Sequence, residues 1–120
     1  ETTTAGVTVT GTISDSKGNL RSIPAATKSS GYTLVAGVAG ELVYISTGGV
    51  TVPATGMSAG DAVSIINNSG SNQTITAATG VTMYNTADAT TGDRVLAGRG
   101  MATIWFASAS VCYISGAGLS

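Results

Sequence analysis

The hydrophobic pattern of this chain is that of short β-strands separated by polar turns, and residues 60–76 show it most clearly. Val63 and Ile65 alternate with their neighbours, which is the period of two that a pleated strand requires. The polar run 67–72 supplies residues that tolerate left-handed backbone conformations, so the chain can reverse there. Residues 73–76 then resume the alternation with β-branched side chains. The pattern predicts two strands joined by a turn, a hairpin in the centre of the chain.

The same pattern recurs along the rest of the chain at intervals of roughly 8–12 residues. It predicts further strands at 7–13, 20–24, 32–35, 41–46, 50–53, 80–84, 94–97, 100–106 and 111–115. Residues 25–30 are expected to form a helical turn or a loop, and the tail 116–120 to be flexible. About ten strands without a convincing helix predict an all-β fold, a compact antiparallel β-sandwich or barrel. Residues 1–13 would form an N-terminal arm or first strand, and residues 14–120 a single β domain.

The predicted core is mostly aliphatic, because the chain has only one Trp and one Phe. A small aliphatic core gives marginal stability to a single chain, and association with other copies is a common remedy. The residues assigned to the core are Leu34, Leu42, Val43, Ile45, Val52, Val63, Ile65, Ile75, Val81, Leu96, Ile104, Phe106, Cys112 and Ile114.

The composition excludes two classes of partner. Charged residues make up 9% of the chain and the net charge is −1, against roughly 25% charged residues in typical soluble domains. The five Lys and Arg residues are too few and too scattered to neutralise a nucleic-acid backbone. No apolar run approaches the ~20 residues of a membrane-spanning helix. We therefore expect neither a nucleic-acid nor a membrane partner.

The residue types also argue against catalysis. The chain has no His, which removes the commonest general base and the commonest metal ligand. Four of the six carboxylates lie beside Gly, Ser, Thr or Ala in loops, where Asp usually caps turns. The single thiol, Cys112, lies in an apolar run and is expected to be buried and inert. We expect no enzyme activity, no cofactor and no metal site.

Seven segments spread between residues 14 and 119 form a distinctive set: SDSKGNLRSIP (14–24), YTLV (32–35), VTVP (50–53), SAGD (58–61), NNSGSNQTIT (67–76), LAGRGMATI (96–104) and ISGAGL (114–119). Together they resemble a module of tailed-phage virion proteins, especially those of marine cyanophages. The module occurs in small head-associated proteins and in the ends of tail fibres. The resemblance implies a structural or adhesive role on the virion surface, in a protein that is commonly trimeric.

Three functional hypotheses follow. The first is a capsid decoration or cement protein, a homotrimer bound to the major capsid protein or other virion proteins through the arm, with Val7, Val9 and Ile13 as contacts. It is favoured by the short chain and the lack of a repeated shaft. The second is a tail-fibre or receptor-binding domain that contacts host surface glycans, with Tyr84 beside the polar loop 85–93. The third and weakest is a polysaccharide depolymerase.

Two arginines are further candidates for an interaction. Arg94 and Arg99 flank the last predicted strands of a chain with few charges. The simpler interpretation is a solvated rim, or a pair between Arg94 and Asp93. The alternative is that the two side chains form ion pairs between subunits.

Overall fold

The computed structural model describes residues 6–120, and β-strands dominate them. The strands are β1 (Ser14–Asp15), β2 (Gly18–Asn19), β3 (Ala25–Lys28), β4 (Tyr32–Thr33), β5 (Leu42–Ile45), β6 (Val50–Val52), β7 (Ala62–Asn67), β8 (Gln73–Ala77), β9 (Thr82–Asn85), β10 (Arg94–Phe106) and β11 (Val111–Leu119). One short 3₁₀ helix, Ala36–Val38, lies between β4 and β5.

Residues 25–77 wind into three coils that alternate between two faces. Strands β3, β5 and β7 are parallel neighbours in the first face. Strands β4, β6 and β8 are parallel neighbours in the second face. Each coil contributes one short strand to each face. Along β5 and β7 every second side chain is buried, because it points into the space between the two faces.

Strand β10 joins the two faces. Its first residues, Arg94–Leu96, pair with β8 in the second face, and Met101–Trp105 pair with β7 in the first face. The ladder is interrupted between Leu96 and Met101. Strand β11 runs antiparallel to β10 and parallel to β9. The result is one nearly closed, barrel-like sheet with β3 and β4 at the two ends of its main path.

The all-β, barrel-like fold class is confirmed, but the pairing is mixed and not antiparallel throughout. Five of the strand pairs are parallel. The predicted central hairpin is wrong in one respect: β7 and β8 are both strands, yet each pairs with β10 and not with the other. The polar run between them carries the chain from one face to the other. Local alternation detects a strand but not the partner it pairs with.

Four local predictions are also wrong. The predicted strand at 20–24 is a turn followed by irregular backbone. Residues 6–13 belong to no strand, and positive φ angles at Gly6 and Gly11 (84° and 107°) interrupt the extended run. The first five residues of the predicted arm lie outside the described residues. Residues 25–28 form a strand and not a helical turn, because β5 offers them a parallel ladder. The tail is paired up to Ser120, whose backbone exchanges two hydrogen bonds of 2.8 and 2.9 Å with Val95.

The core lies between the two faces and is largely the predicted one. Twelve of the fourteen predicted residues are buried, whereas Leu42 and Val81 are only partly buried. The prediction missed the buried residues Val38, Val50, Met57, Met83 and Ala102, and three buried polar residues, Asn67, Gln73 and Asn85.

Asn67 and Gln73 form a buried polar network that ties the coils together. The Asn67 amide nitrogen donates to the carbonyls of Leu96 (3.0 Å) and Ala97 (3.1 Å) at the bend of β10. The Gln73 amide nitrogen donates to Asn67 Oδ1 at 2.6 Å and to the Ile45 carbonyl at 3.1 Å. The network satisfies backbone groups where the chain changes faces, which buried polar groups require.

Candidate functional site

Three aromatic side chains stand side by side on the outside of the first face. Strand pairing places Tyr84 of β9 next to Tyr113 of β11, and Tyr113 next to Trp105 of β10. They point outward because their neighbours along each strand point into the core. The ring centroids of Tyr84 and Tyr113 are 5.2 Å apart, and those of Tyr113 and Trp105 are 6.5 Å apart. We call these three residues the aromatic row.

A surface groove of about 270 Å³ lies at the Tyr84 end of the aromatic row. Its lining consists of Tyr84, Tyr113, Asn85, Thr86 and Ala89. The first two come from neighbouring strands, and the last two come from the loop that follows β9. The groove therefore has an aromatic wall that is fixed by the sheet and a polar wall that depends on how the loop is held.

Hydrogen bonds around Asp88 hold that loop. The Asp88 carboxylate accepts hydrogen bonds from the Thr90 backbone N–H (3.0 Å), the Thr90 hydroxyl (2.7 Å) and the Asn85 amide (3.2 Å). The two bonds from Thr90 are the main reason that the pKa of Asp88 is lowered below its ordinary value. Ala89 has a left-handed φ of 64°, which is uncommon for a residue with a Cβ.

Arg94, a predicted interaction residue, braces the same loop. Its guanidinium donates to the Thr90 hydroxyl at 3.2 Å and to the Thr91 carbonyl at 3.5 Å. Its Nε donates to the backbone carbonyl of Asp93 at 2.7 Å. The Asp93 carboxylate instead accepts from the Ala77 backbone N–H at 2.9 Å. All of these partners of the guanidinium lie within the chain. An intersubunit ion pair of Arg94 stays a prediction.

Arg99 does not line the groove and lies in the interruption of the β10 ladder. It has a left-handed φ of 63°, and its guanidinium donates to Asn68 Oδ1 at 2.8 Å. Its backbone N–H donates to the Ser69 carbonyl at 3.1 Å. The structure therefore does not bring Arg94 and Arg99 together, and an intersubunit role of Arg99 also stays a prediction.

The outer face around the aromatic row carries no charge at its outward positions in β3, β5, β7, β9, β11 and the second half of β10. Met101, Trp105 and Tyr113 are 46%, 48% and 42% exposed on it. Between them, the hydroxyls of Ser64 and Thr103 form a hydrogen bond of 2.9 Å. This face is a wide, uncharged surface with the groove at one side.

A second exposed apolar surface lies at the start of the described chain. We call residues 6–23 the N-terminal unit. It carries five of the nine large apolar or aromatic side chains that are exposed in the described residues. These five are Val7, Val9, Ile13, Leu20 and Ile23. Val7 is the most exposed of them, at 85%.

Few contacts hold the N-terminal unit to the β domain. Strands β1 and β2 form a small hairpin, and the Leu20 N–H donates to the Ile13 carbonyl at 2.8 Å. The Lys17 ammonium donates to the Gly37 carbonyl at 2.5 Å and lies 3.5 Å from the Glu41 carboxylate. The apolar side chains of the unit thus remain at the surface although the hairpin itself is anchored.

Residues 6–120 contain no cluster of three side chains that could ligate a metal. Burial raises the pKa of Cys112 to about 11, so the thiol is protonated and inert at neutral pH. No helix in the described part of the chain has the length and apolarity to cross a membrane.

Comparison with protein-family models gives no match, and comparison with curated proteins gives none. The candidate surfaces are therefore defined by geometry alone. Of the predicted site residues, Tyr84 lies at the groove, and Val7, Val9 and Ile13 lie in the N-terminal unit. The prediction missed Tyr113 and Trp105. The alternation in β10 and β11 could have found them, because Trp105 and Tyr113 are out of phase with the buried residues on either side.

Proposed function

We propose that this chain is a non-enzymatic virion structural protein, a capsid decoration protein that stabilises the head shell. It acts as a homotrimer, and its N-terminal unit binds the major capsid protein. The observation that supports this proposal is the concentration of exposed apolar side chains in that unit, which a partner surface would cover. Val9, Ile13 and Leu20 line one surface cavity, and contiguous exposed apolar patches are typical of protein interaction sites.

Two physical contributions would drive the binding. The first is burial of apolar side chains, which contributes about 1.5–3 kcal/mol for each large aliphatic side chain that is fully covered. The second is backbone pairing. Residues 6–13 take part in no β-ladder, and the stretch 7–10, which lies between the positive-φ residues Gly6 and Gly11, can add a short strand to the edge of a partner's sheet. The Lys17 contacts would keep the unit in place on the β domain while its apolar side chains face the shell.

The test compares three proteins on undecorated capsids: the full chain, a deletion of residues 1–12, and Val35→Ser. Val35 is 52% exposed outside the N-terminal unit, so its substitution controls for the loss of one exposed apolar side chain. We expect cryo-electron microscopy to show the full chain and Val35→Ser at threefold or quasi-threefold sites, and bare shells with the deletion. Equal occupancy by the deletion variant would contradict the proposal.

The trimer is tested separately, by light scattering on the protein in solution and on protein released from decorated shells. We expect three times the 11.7 kDa of one chain in at least the released protein. A monomer under both conditions would exclude a preformed homotrimer and leave the contact through the N-terminal unit to be judged from the capsid experiment.

The second candidate function is that of a tail-fibre or receptor-binding domain. The observation that favours it is the aromatic row next to a loop that is held by several hydrogen bonds. Exposed Tyr and Trp side chains supply contact area at a small cost in conformational entropy. Binding of the labelled chain to host cells, reduced by Tyr84→Ala, would support this function. Unchanged binding by that variant would refute a receptor site at Tyr84.

A further inference from the structure

We propose that the groove beside Tyr84 binds an uncharged saccharide. This inference rests on the second candidate function, receptor binding, and names the class of its ligand. The ligand would stack a C–H face of a sugar ring against the aromatic wall and direct its hydroxyls to the loop.

The aromatic wall is fixed before any ligand arrives. Tyr84 and Tyr113 are held by neighbouring strands, and their rings are stacked with an interplanar angle of 23°. Trp105 supports Tyr113 from the other side at an angle of 40°. Rings that are already in place lose little conformational freedom on binding, which favours affinity. An aromatic ring face is apolar and carries partial negative charge, and the polarised C–H groups of a sugar ring complement it.

The charges around the groove favour a neutral ligand. None of its lining residues is charged. The nearby Asp88 carboxylate is occupied by Thr90 and Asn85, and the Arg94 guanidinium is engaged with Thr90 and Thr91. Asp88 and Arg94 also interact with each other, so their opposite charges largely offset at this loop, and a sialylated or phosphorylated ligand would gain no net attraction there. A neutral sugar needs none.

The groove has suitable hydroxyl chemistry, and the backbone of its polar wall is preset. Its lining residues Tyr84, Tyr113 and Thr86 carry hydroxyl groups, which can both donate and accept hydrogen bonds. Ala89 lines the same groove with its left-handed backbone. Uncommon backbone conformations of non-glycine residues are concentrated at binding sites, where the surrounding structure holds them in place. Here the hydrogen bonds of Asp88 hold the loop that contains Ala89.

The size of the groove limits the ligand. Its volume of about 270 Å³ is near the lower end of small-molecule pockets, which begin at about 300 Å³. It therefore suits one or two sugar units and not a long polysaccharide chain. The expected ligand is the end of a neutral glycan.

The experiment uses the full chain on a panel of neutral di- and trisaccharides and their sialylated counterparts, followed by isothermal titration calorimetry with the neutral sugar that gives the strongest response. Calorimetry is used because Trp105, the only Trp of the chain, does not line the groove, and its emission would sense a ligand only through Tyr113, which one variant removes. We expect Tyr84→Ala and Tyr113→Ala to weaken binding at least tenfold. Tyr44→Ala, on the same outer face but on β5, should bind like the unmodified chain.

Tyr84→Phe is the control for a folding defect in Tyr84→Ala, since it keeps the stacked ring and removes only the hydroxyl. It should retain binding within a few-fold. Binding of sialylated sugars alone would overturn the uncharged class and leave the receptor function standing. Absence of any saccharide binding would overturn the inference, and labelled-chain binding to host cells would then decide the receptor function independently. Neutral binding that survives both alanine variants would also overturn the proposed site.

Discussion

Replacing Asn67 by Ala should be among the most damaging polar substitutions in this protein. Asn67 is fully buried and lies at the end of β7, where the chain leaves the first face. Its amide nitrogen donates to three carbonyls, and its Oδ1 accepts from Ser69 and Gln73. Alanine removes all five hydrogen bonds and leaves their partners in place.

The size of the loss in unfolding free energy depends on how many of these partners remain inaccessible to water. The bonds to the Leu96 carbonyl and from the Gln73 amide are buried, whereas the other three are partly buried. A buried polar group without a partner costs about 1–3 kcal/mol, and partly buried groups can recruit water. We expect Asn67→Ala to lower the free energy of unfolding by about 3–5 kcal/mol, a large share of the 5–15 kcal/mol of a typical domain.

Urea unfolding followed by Trp105 fluorescence measures this loss. With a slope of about 1–3 kcal/mol per molar urea, the midpoint should fall by about 2 M. Asn68→Ala is the matched control, because Asn68 accepts only an exposed hydrogen bond, 2.8 Å long, from Arg99, and it should cost less than about 1 kcal/mol. Asn67→Asp keeps the shape of the side chain but loses both donor hydrogens, so it should be at least as damaging as alanine. A loss below 1 kcal/mol in Asn67→Ala would refute the reasoning.

Two further predictions concern the core and the last strand. Burial raises the pKa of Cys112 to about 11, so as the pH rises the thiol loses its proton in the unfolded chain before it does so in the folded protein. The free energy of unfolding should therefore fall by about 1–3 kcal/mol between pH 9 and 11. Urea midpoints across that range should fall less in Cys112→Ala, and equal falls in the two proteins would exclude the thiol as the cause. A Cβ on Gly116 would lie 2.5 Å from Ala102 Cα, so Gly116→Ala should lower the free energy of unfolding by at least about 2 kcal/mol. Gly70→Ala, with open space around its Cβ, should change it by less than about 1 kcal/mol. Similar melting temperatures of the two variants would contradict the packing argument.

The strands and the core could be predicted because both depend on local alternation. Every second side chain of β5 and β7 is buried, and the resulting alternation of residue types identifies both segments as strands. The parallel coils could not be predicted, because strand pairing between distant segments leaves no local pattern. Strand β3 is an example: its residues Ala25–Lys28 have no strong alternation, and they become a strand only because β5 lies beside them.

The candidate site was predictable in part for the same reason. Tyr84 stands out as an aromatic residue beside a polar loop, and the structure places it at the groove. Its partners Tyr113 and Trp105 are distant from it in sequence, and only the β9–β11–β10 pairing brings them together. The roles of Asp88 and Arg94 in bracing the loop depend on side-chain contacts with Thr90, which the sequence pattern does not encode.

The two proposed surfaces are compatible in one molecule, because they lie at different places along the first face. The N-terminal unit is anchored at Gly37 and Glu41, next to the start of β5. The aromatic row lies on β10, β11 and β9, and three strand steps separate β5 from β11, roughly 14 Å at ~4.8 Å per step. A subunit that binds a shell through the N-terminal unit can therefore leave the groove accessible. If both proposals hold, deletion of residues 1–12 should abolish capsid binding and leave saccharide binding unchanged, and Tyr84→Ala should do the reverse. Loss of both activities in either variant would show that the two surfaces are not independent.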